Sequence, residues 1–333
     1  AIDFNDNIDL AGNLTLSGHV SANGGYCSDT GANTSFGGNA LASVTVGSGL
    51  RNTASGYNSL QLTTTGDDNT AVGHSALRSN TTASKNTAVG VCSLFANTTG
   101  TGLAALGFRA LAANTCGNKN TGVGFNALQT NTTGSFNTAS GYRALYLNTT
   151  GHSNTASGYC ALASNTTGCL NTASGYRALL FNSSGCKNTA IGACALFDNT
   201  TGKRNTASGF YALGNNTTGC LNTASGYYAL KNITTANNNT AFGACSLMSN
   251  TTGAMNTAVG ISSLKVLTTG RENVAVGGNA LCSTTTGIKN VGVGNYALAK
   301  QTTGCLNTAS GYLAAYCTTS GCYNTAMGSF SLH

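Results

Sequence analysis

The chain repeats a unit of seventeen residues, Asn-Thr-Ala-x-Gly-x-x-Ala-Leu-x-x-Asn-Thr-Thr-Gly-x-x, from Asn52 to Asn324 without an insertion or a deletion. Sixteen identical spacings in succession mean that one structural unit is stacked on itself and that each unit touches mainly its neighbours. This register excludes a domain with a single central core. It predicts an all-β rod: a parallel β-solenoid (β-roll or β-helix) of 17-residue coils.

The columns of the stack set limits on the interior. Counting each unit from its first Asn, Gly stands at position 5 in all seventeen units, Gly56 to Gly328, and at position 15 in fourteen of sixteen. Two such columns predict two places per coil where φ is positive or where a neighbouring segment comes too close for a Cβ. Leu holds position 9 in sixteen of seventeen units, Ala315 being the exception, while position 8 is Ala or Ser and position 3 is Ala or Gly. One large apolar column flanked by small ones describes a narrow interior in which Leu stacks on Leu, each contributing roughly 1.5 to 3 kcal/mol. Asn fills position 1 in sixteen of seventeen units and position 12 in ten of sixteen. Amides repeated at coil spacing are expected to bond up and down the stack as ladders, and Asn and Gly also suit turns. The same letters spell N-glycosylation acceptors, as at Asn131-Thr-Thr and Asn199-Thr-Thr, although ladders account for the pattern without a glycan.

Apolar residues make up 41% of the chain and charged residues 7%, too much apolar material for a disordered polar tract. The net charge is +7, yet the first 32 residues hold Asp3, Asp6, Asp9 and Asp29 and no Lys or Arg, so the basic residues are scattered over the array. A nucleic-acid groove would cluster them with aromatics, and no nucleic-acid partner is expected. Nor is membrane insertion, because no stretch reaches the roughly 20 apolar residues of a span. Beginning at Ala1, the chain reads as a processed product for which a removed signal peptide would fit.

All eighteen charged residues from Asp67 to Lys300 fall at positions 7, 10, 11, 16 or 17, and none at positions 1 to 5. Positions 1 to 5 therefore read as a segment hidden on both faces, with the charged positions as a solvent rim. Positions 4 and 6 vary together. Where position 4 is Ser, position 6 is always Tyr or Phe, which gives Tyr142, Tyr159, Tyr176, Phe210, Tyr227 and Tyr312 as a candidate subunit-interface face. Compensation of this kind implies a roughly fixed volume, as in a packed interior. The simplest partner is another copy, and a homotrimer is expected; seventeen coils at ~4.8 Å would make a rod about 80 Å long.

Thirteen cysteines gather mostly at positions 7 and 16. Cys169 and Cys186, and Cys305 and Cys322, occupy position 16 of consecutive coils, at a spacing that a disulfide allows. They read either as thiols packed as small hydrophobes or as stacked disulfide pairs, which would indicate an oxidising compartment. His19, His74, His152 and His333 occupy unrelated places, and the array from Asn52 onward holds only four acids, Asp67, Asp68, Asp198 and Glu272. Catalysis needs residues that converge, so no enzyme, cofactor or metal site is read within one chain. A three-fold axis gathering three copies of His74 would be the one metal or anion site open to a trimer.

Asn-Thr-Ala-Val-Gly at Asn69 and Asn86 and Asn-Thr-Ala-Ile-Gly at Asn188, with Ala-Leu and Asn-Thr-Thr-Gly downstream, resemble the repeats of bacteriophage tail-fibre proteins. They are also similar to the head repeats of trimeric autotransporter adhesins, a resemblance that covers residues 33 to 333 and implies trimeric, left-handed parallel β-rolls. The adhesin-head unit is usually shorter, and no coiled-coil stalk, anchor barrel or self-cleaving chaperone domain is visible here. Residues 33–51 read as an irregular first coil, 52–323 as regular coils and 324–333 as an incomplete last one. Residues 1–32 alternate in β fashion around Ile8-Asp-Leu and Leu14-Thr-Leu and resemble segments ahead of the repeats in phage fibres. They are expected to form short strands that cap the array or connect it to another module. The other end shows no cap, so either the natural protein continues beyond His333 or another subunit stacks there.

The expected function is that of a non-enzymatic structural fibre for attachment, extracellular, on a cell surface or on a virion. Its partners would be copies of itself and an unidentified cell-surface receptor or glycan. One alternative is a self-polymerising filament in which the last coil docks head-to-tail on residues 1–32 of the next subunit. Another is an ice-binding solenoid, disfavoured because the Thr column at position 2 is expected to be buried and the Thr pair at positions 13 and 14 sits at a turn.

Overall fold

Each unit closes one coil, and each coil contributes one strand of three residues, the central one turned inward. The computed structural model describes residues 27–28, 32–45 and 47–332; among them are nineteen strands and no helix. Strand β1 (Cys27–Ser28) pairs antiparallel with β2 (Thr34–Phe36). From β2 through β3 (Thr53–Ser55) to β19 (Thr325–Met327) the strands pair in parallel, within one 19-stranded sheet. Like residues face like: Thr172 opposes Thr189 and Ala173 opposes Ala190. The chain is thus an all-β parallel solenoid of about 17 coils. Thr34 opposes Thr53 across nineteen residues, so the two additional residues of the first coil are taken up between strands. Residues 1–26 and 29–31, which make up most of the expected cap or connector, lie outside the described residues.

So short a strand leaves most of the coil to be turned by residues of positive φ. Position 5 has φ between +104 and +139, and a Cβ on Gly141 would collide with the carbonyl of Gly158 in the next coil. Both reasons require glycine there. Position 15 favours it for the second reason alone: Gly134 lies outside the left-handed region, but a Cβ on it would run into the Gly151 carbonyl oxygen and Asn131 Oδ1, and only Ala83 and Ala236 replace glycine in this column.

Three further columns, positions 7, 9 and 17, take the left-handed conformation with side chains attached, at φ between 48 and 63. Each such residue costs roughly 1–2 kcal/mol. The return is that successive peptide groups swing onto the rod axis. Leu145 N–H donates to the Ala161 carbonyl of the following coil at 3.0 Å, and Arg143 N–H to the Phe125 carbonyl of the preceding coil at 3.0 Å. A β-branched side chain is an outlier on this backbone. From Asn52 onward the three columns contain no Val, Ile or Thr, although Thr abounds at positions 2, 13 and 14. This is the reason that the core column is Leu and not Val or Ile.

The interior has an apolar half and a polar half. Leu at position 9 packs with Ala at positions 3 and 8 in one continuous cluster, the Leu side chains fully buried from Leu60 to Leu298. Against it stand two buried columns of Asn, at positions 1 and 12. Asn137 donates from Nδ2 to the Gly151 carbonyl at 2.8 Å and to Asn120 Oδ1 at 3.2 Å, while its backbone N–H meets the same Oδ1 at 2.9 Å. Asn148, in the same coil, donates to the same Gly151 carbonyl at 2.9 Å and to Asn131 Oδ1 at 2.7 Å. The expected ladders exist, but as an internal spine instead of a surface turn. Where Ile233 replaces the position-12 amide, Asn216 Oδ1 is left without a partner.

Two substitutions test this architecture by urea denaturation. Leu162→Val should destabilise by about 2–4 kcal/mol, combining a lost methylene with left-handed strain, whereas Leu162→Met should stay below about 1.5 kcal/mol. Ile233→Asn exchanges about 1.5–3 kcal/mol of burial for relief of an orphaned amide oxygen worth about 1–3 kcal/mol, so stability should change by no more than about 2 kcal/mol.

Candidate functional site

The outer face of the sheet carries no Lys, Arg, Asp or Glu from β3 to β19. Within each strand from β2 to β19 the central residue is buried and its two neighbours are exposed or half-buried, as in Thr138–Ser140 and Thr172–Ser174. The expectation of a segment hidden on both faces is therefore corrected for the single chain. One side packs on the chain's own Leu column; among the described residues none covers the other, because a coil this thin has nothing to fold back over it. The Thr column at position 2 is accordingly exposed or half-exposed, not buried.

Position 6 follows the glycine corner, and its rings stack along the rod. Phe108, Phe125, Tyr142, Tyr159 and Tyr176 form one uninterrupted pile, with centroids 5.0 to 5.5 Å apart and planes within 17° of parallel. Each such contact is worth roughly 0.5–1.5 kcal/mol beyond burial. Ala193 interrupts the pile; Phe210 and Tyr227 then pair at 5.7 Å, and Tyr312 meets Phe330 edge-on at 5.4 Å. Of the six aromatics expected on an interface face, three are thus in one pile, two in a second, and Tyr312 stands apart. Phe108 and Phe125 were missed because Leu106 and Val123, not Ser, precede them; an aromatic at position 6 was the sufficient signal. Where position 6 is Ala, as at Ala193 and Ala244, the exposed bulk shifts to Ile191 and Phe242 at position 4.

Cations border this stripe. Arg109, Arg143 and Arg177, at position 7 of alternate coils, lay their guanidinium groups over Phe108, Tyr142 and Tyr176 at 5.5, 5.5 and 5.1 Å, within cation–π range. The acids lie elsewhere. Asp68 pairs with Arg51 at 2.6 Å, and the hydrogen bond from that guanidinium holds the Asp68 carboxyl below its ordinary value. Glu272 stands 3.8 Å from Lys289, and burial raises the Asp198 carboxyl.

At position 16 the two cysteine pairs are stacked as free thiols. Cys169 Sγ is 2.9 Å from Cys186 Sγ, and the Cys169 N–H donates to the same sulfur at 3.1 Å. Cys305 N–H donates to Cys322 Sγ at 3.2 Å. His74 stacks on Tyr57 at 5.6 Å, and His152 Nδ1 lies 3.4 Å from Ser153 Oγ at an exposed turn; His19 and His333 lie outside the described residues. Among the described residues no three His, Cys, Asp or Glu gather into a metal-sized group, and no helix is long and apolar enough to cross a membrane.

Asn131 and Asn199, the acceptors in the glycosylation reading, are fully buried members of the spine and donate to the Gly134 and Gly202 carbonyls. No protein-family model matches the chain, and no curated protein matches it. Glycopeptide mapping of folded protein secreted from a eukaryotic host should find Asn131 and Asn199 unmodified; a glycan on either would contradict closed coils at those positions.

Proposed function

We propose that the chain is a non-enzymatic fibre protein, extracellular, on a cell surface or on a virion, assembled as a homotrimer of parallel, in-register solenoids and serving attachment. The charge-free outer face carries this reading. From Phe36 to Met327 it leaves large apolar side chains open, Ile191 at 49% and Tyr159 at 46% exposure, along about 80 Å of rod. Soluble monomers rarely expose contiguous apolar surface on that scale.

The partner is a second and third copy, because bulk on this face is balanced between positions 4 and 6 in twelve of the seventeen coils. In seven of the seventeen coils Ser at position 4 accompanies a ring at position 6, and in five others a large residue at position 4 accompanies a small one at position 6, as at Ile191 and Ala193. A cyclic assembly of identical parallel chains sets each layer against the same layer of its neighbours, so each layer must fit itself. An unrelated partner imposes no such rule on the majority of coils. The likeness of the Asn-Thr-Ala-Val-Gly units to phage tail-fibre and trimeric adhesin-head repeats supports the same reading. A stiff rod of this kind holds a receptor- or glycan-binding tip away from the particle that bears it.

Sedimentation equilibrium at micromolar concentration is expected to give three chains for the natural sequence and one for the Tyr159→Lys, Ile191→Lys double variant. A stable monomer of the natural sequence overturns the reading. Ice binding gains one observation, the exposed Thr column on in-register strands ~4.8 Å apart; thermal hysteresis from a monomeric preparation would decide for it, and its absence would remove it. Rods of uniform length in negative stain separate the fibre from a head-to-tail filament.

A further inference from the structure

Position 16 has a defined task in the coil. Where it is Ser or Asn, its side chain accepts the backbone N–H of position 16 in the preceding coil: Ser84 Oγ from Asp67 at 2.9 Å, Asn118 Oδ1 from Thr101 at 2.8 Å, Ser135 Oγ from Asn118 at 3.0 Å and Asn237 Oδ1 from Cys220 at 2.6 Å. Any small acceptor performs this task, and the column changes residue at almost every step. It repeats one residue in consecutive coils at only two places, Cys169–Cys186 and Cys305–Cys322. Serine would serve equally well as an acceptor. The repetition of sulfur points to a use that needs two sulfurs.

At Cys169–Cys186 the geometry is that of a dithiol ready to react. The sulfurs are 2.9 Å apart, and Cys186 Sγ receives two donors, the N–H and the S–H of Cys169. Lys203 occupies the next place in the same column, and Lys187 follows Cys186 in the chain. Burial and the hydrogen bond to Cys186 push the Cys169 thiol up, while both Cys169 donors converge on Cys186 Sγ, which sets Cys186 apart as the sulfur to react first; the thiolate is the form that attacks. Both side chains are only partly buried, so a small reagent can reach them. Adjacent coils also lie within the Cα range of a disulfide.

We propose that Cys169 and Cys186 form a redox-active dithiol that small-molecule or protein disulfides oxidise to an intrachain bridge between consecutive coils, with Cys186 as the attacking sulfur. The Cys186 thiolate attacks one sulfur of the oxidant disulfide, forming a mixed disulfide and releasing one thiolate. Cys169 loses its proton to solvent and attacks the Cys186 sulfur; the Cys169–Cys186 bond forms as the mixed disulfide breaks and the second thiolate leaves. Two electrons pass to the oxidant, whose two thiolates take up protons. The bridge closes a loop of one coil and locks the register of the rod near its middle. It does not depend on the fibre reading, since both sulfurs belong to one chain.

The full chain, folded and treated with oxidised glutathione, would be blocked with N-ethylmaleimide and mapped by tandem mass spectrometry. Cleavage after Arg177 puts the two cysteines on separate peptides. The expected result is a Cys169–Cys186 linked pair lighter by two hydrogens, in protein that runs as a single chain on a non-reducing denaturing gel and unfolds at a higher Tm than the reduced form. Cys169→Ser, which places at this column the residue found at Ser84 and Ser135, should trap glutathione on Cys186, whereas Cys186→Ser should leave Cys169 largely unmodified. Full alkylation of both thiols in the natural sequence after oxidant treatment, or a linkage between different chains, would overturn the proposal. Equal trapping on Cys169 in the Cys186→Ser variant would overturn the assignment of Cys186 as the attacking sulfur.

Discussion

The carbonyl oxygen of the glycine at position 15 accepts two buried amide N–H groups, one from each Asn column, and the stack depends on that junction. At Gly151 the donors are Asn137 and Asn148, each also bonded to the Asn of the preceding coil. All these amides donate in one direction along the rod, so their dipoles reinforce one another. A slip of one residue would set the Asn columns mostly against Thr in one direction, or against the variable residues of positions 17 and 11 in the other, and strand buried donors and acceptors, each costing about 1–3 kcal/mol. An interior that is half polar is therefore a register device. It explains why the array tolerates exchange at so many positions but no insertion from Asn52 to Asn324.

The same economy of space governs the backbone. A coil of seventeen residues with a three-residue strand must turn sharply, and it does so at one glycine and three left-handed columns. Left-handed residues are unfavourable singly, but here they align peptide groups so that hydrogen bonds between coils continue through the turns. Leucine follows from this. It fills the core from a left-handed backbone, which the branched Cβ of Val or Ile resists, and a neighbouring Leu lies above and below it in nearly every coil.

A thin coil can bury only one side of its strand. The interior takes position 3, leaving positions 2, 4 and 6 to solvent or to partners, and the absence of charge along those columns is the chief reason for reading the rod as one strand of a larger assembly. The aromatic pile from Phe108 to Tyr176 and the Arg groups that cover its rings show order on that face even in the single chain. The cysteine pair at position 16 is different in kind, because it arises from two adjacent coils of one chain and needs no partner.

What could be read from the residues alone was whatever depends on period. A strict period decides which side chains lie above one another, so the solenoid, the Leu column, the Asn ladders and the cysteine stacking were all legible. Conformation was less so. The left-handed columns could have been recognised from their lack of Val, Ile and Thr, and the glycines at positions 5 and 15 were seen as special without the difference between them being visible. The tertiary structure alone decided direction: that the amides point inward as a spine, that the sheet's second face is open, and that the Cys169 and Cys186 sulfurs meet at 2.9 Å. The physical reason is that period sets the sequence distance between stacked residues, while φ and ψ at each position set where a side chain points, and in this coil four positions take a hand that the period does not encode.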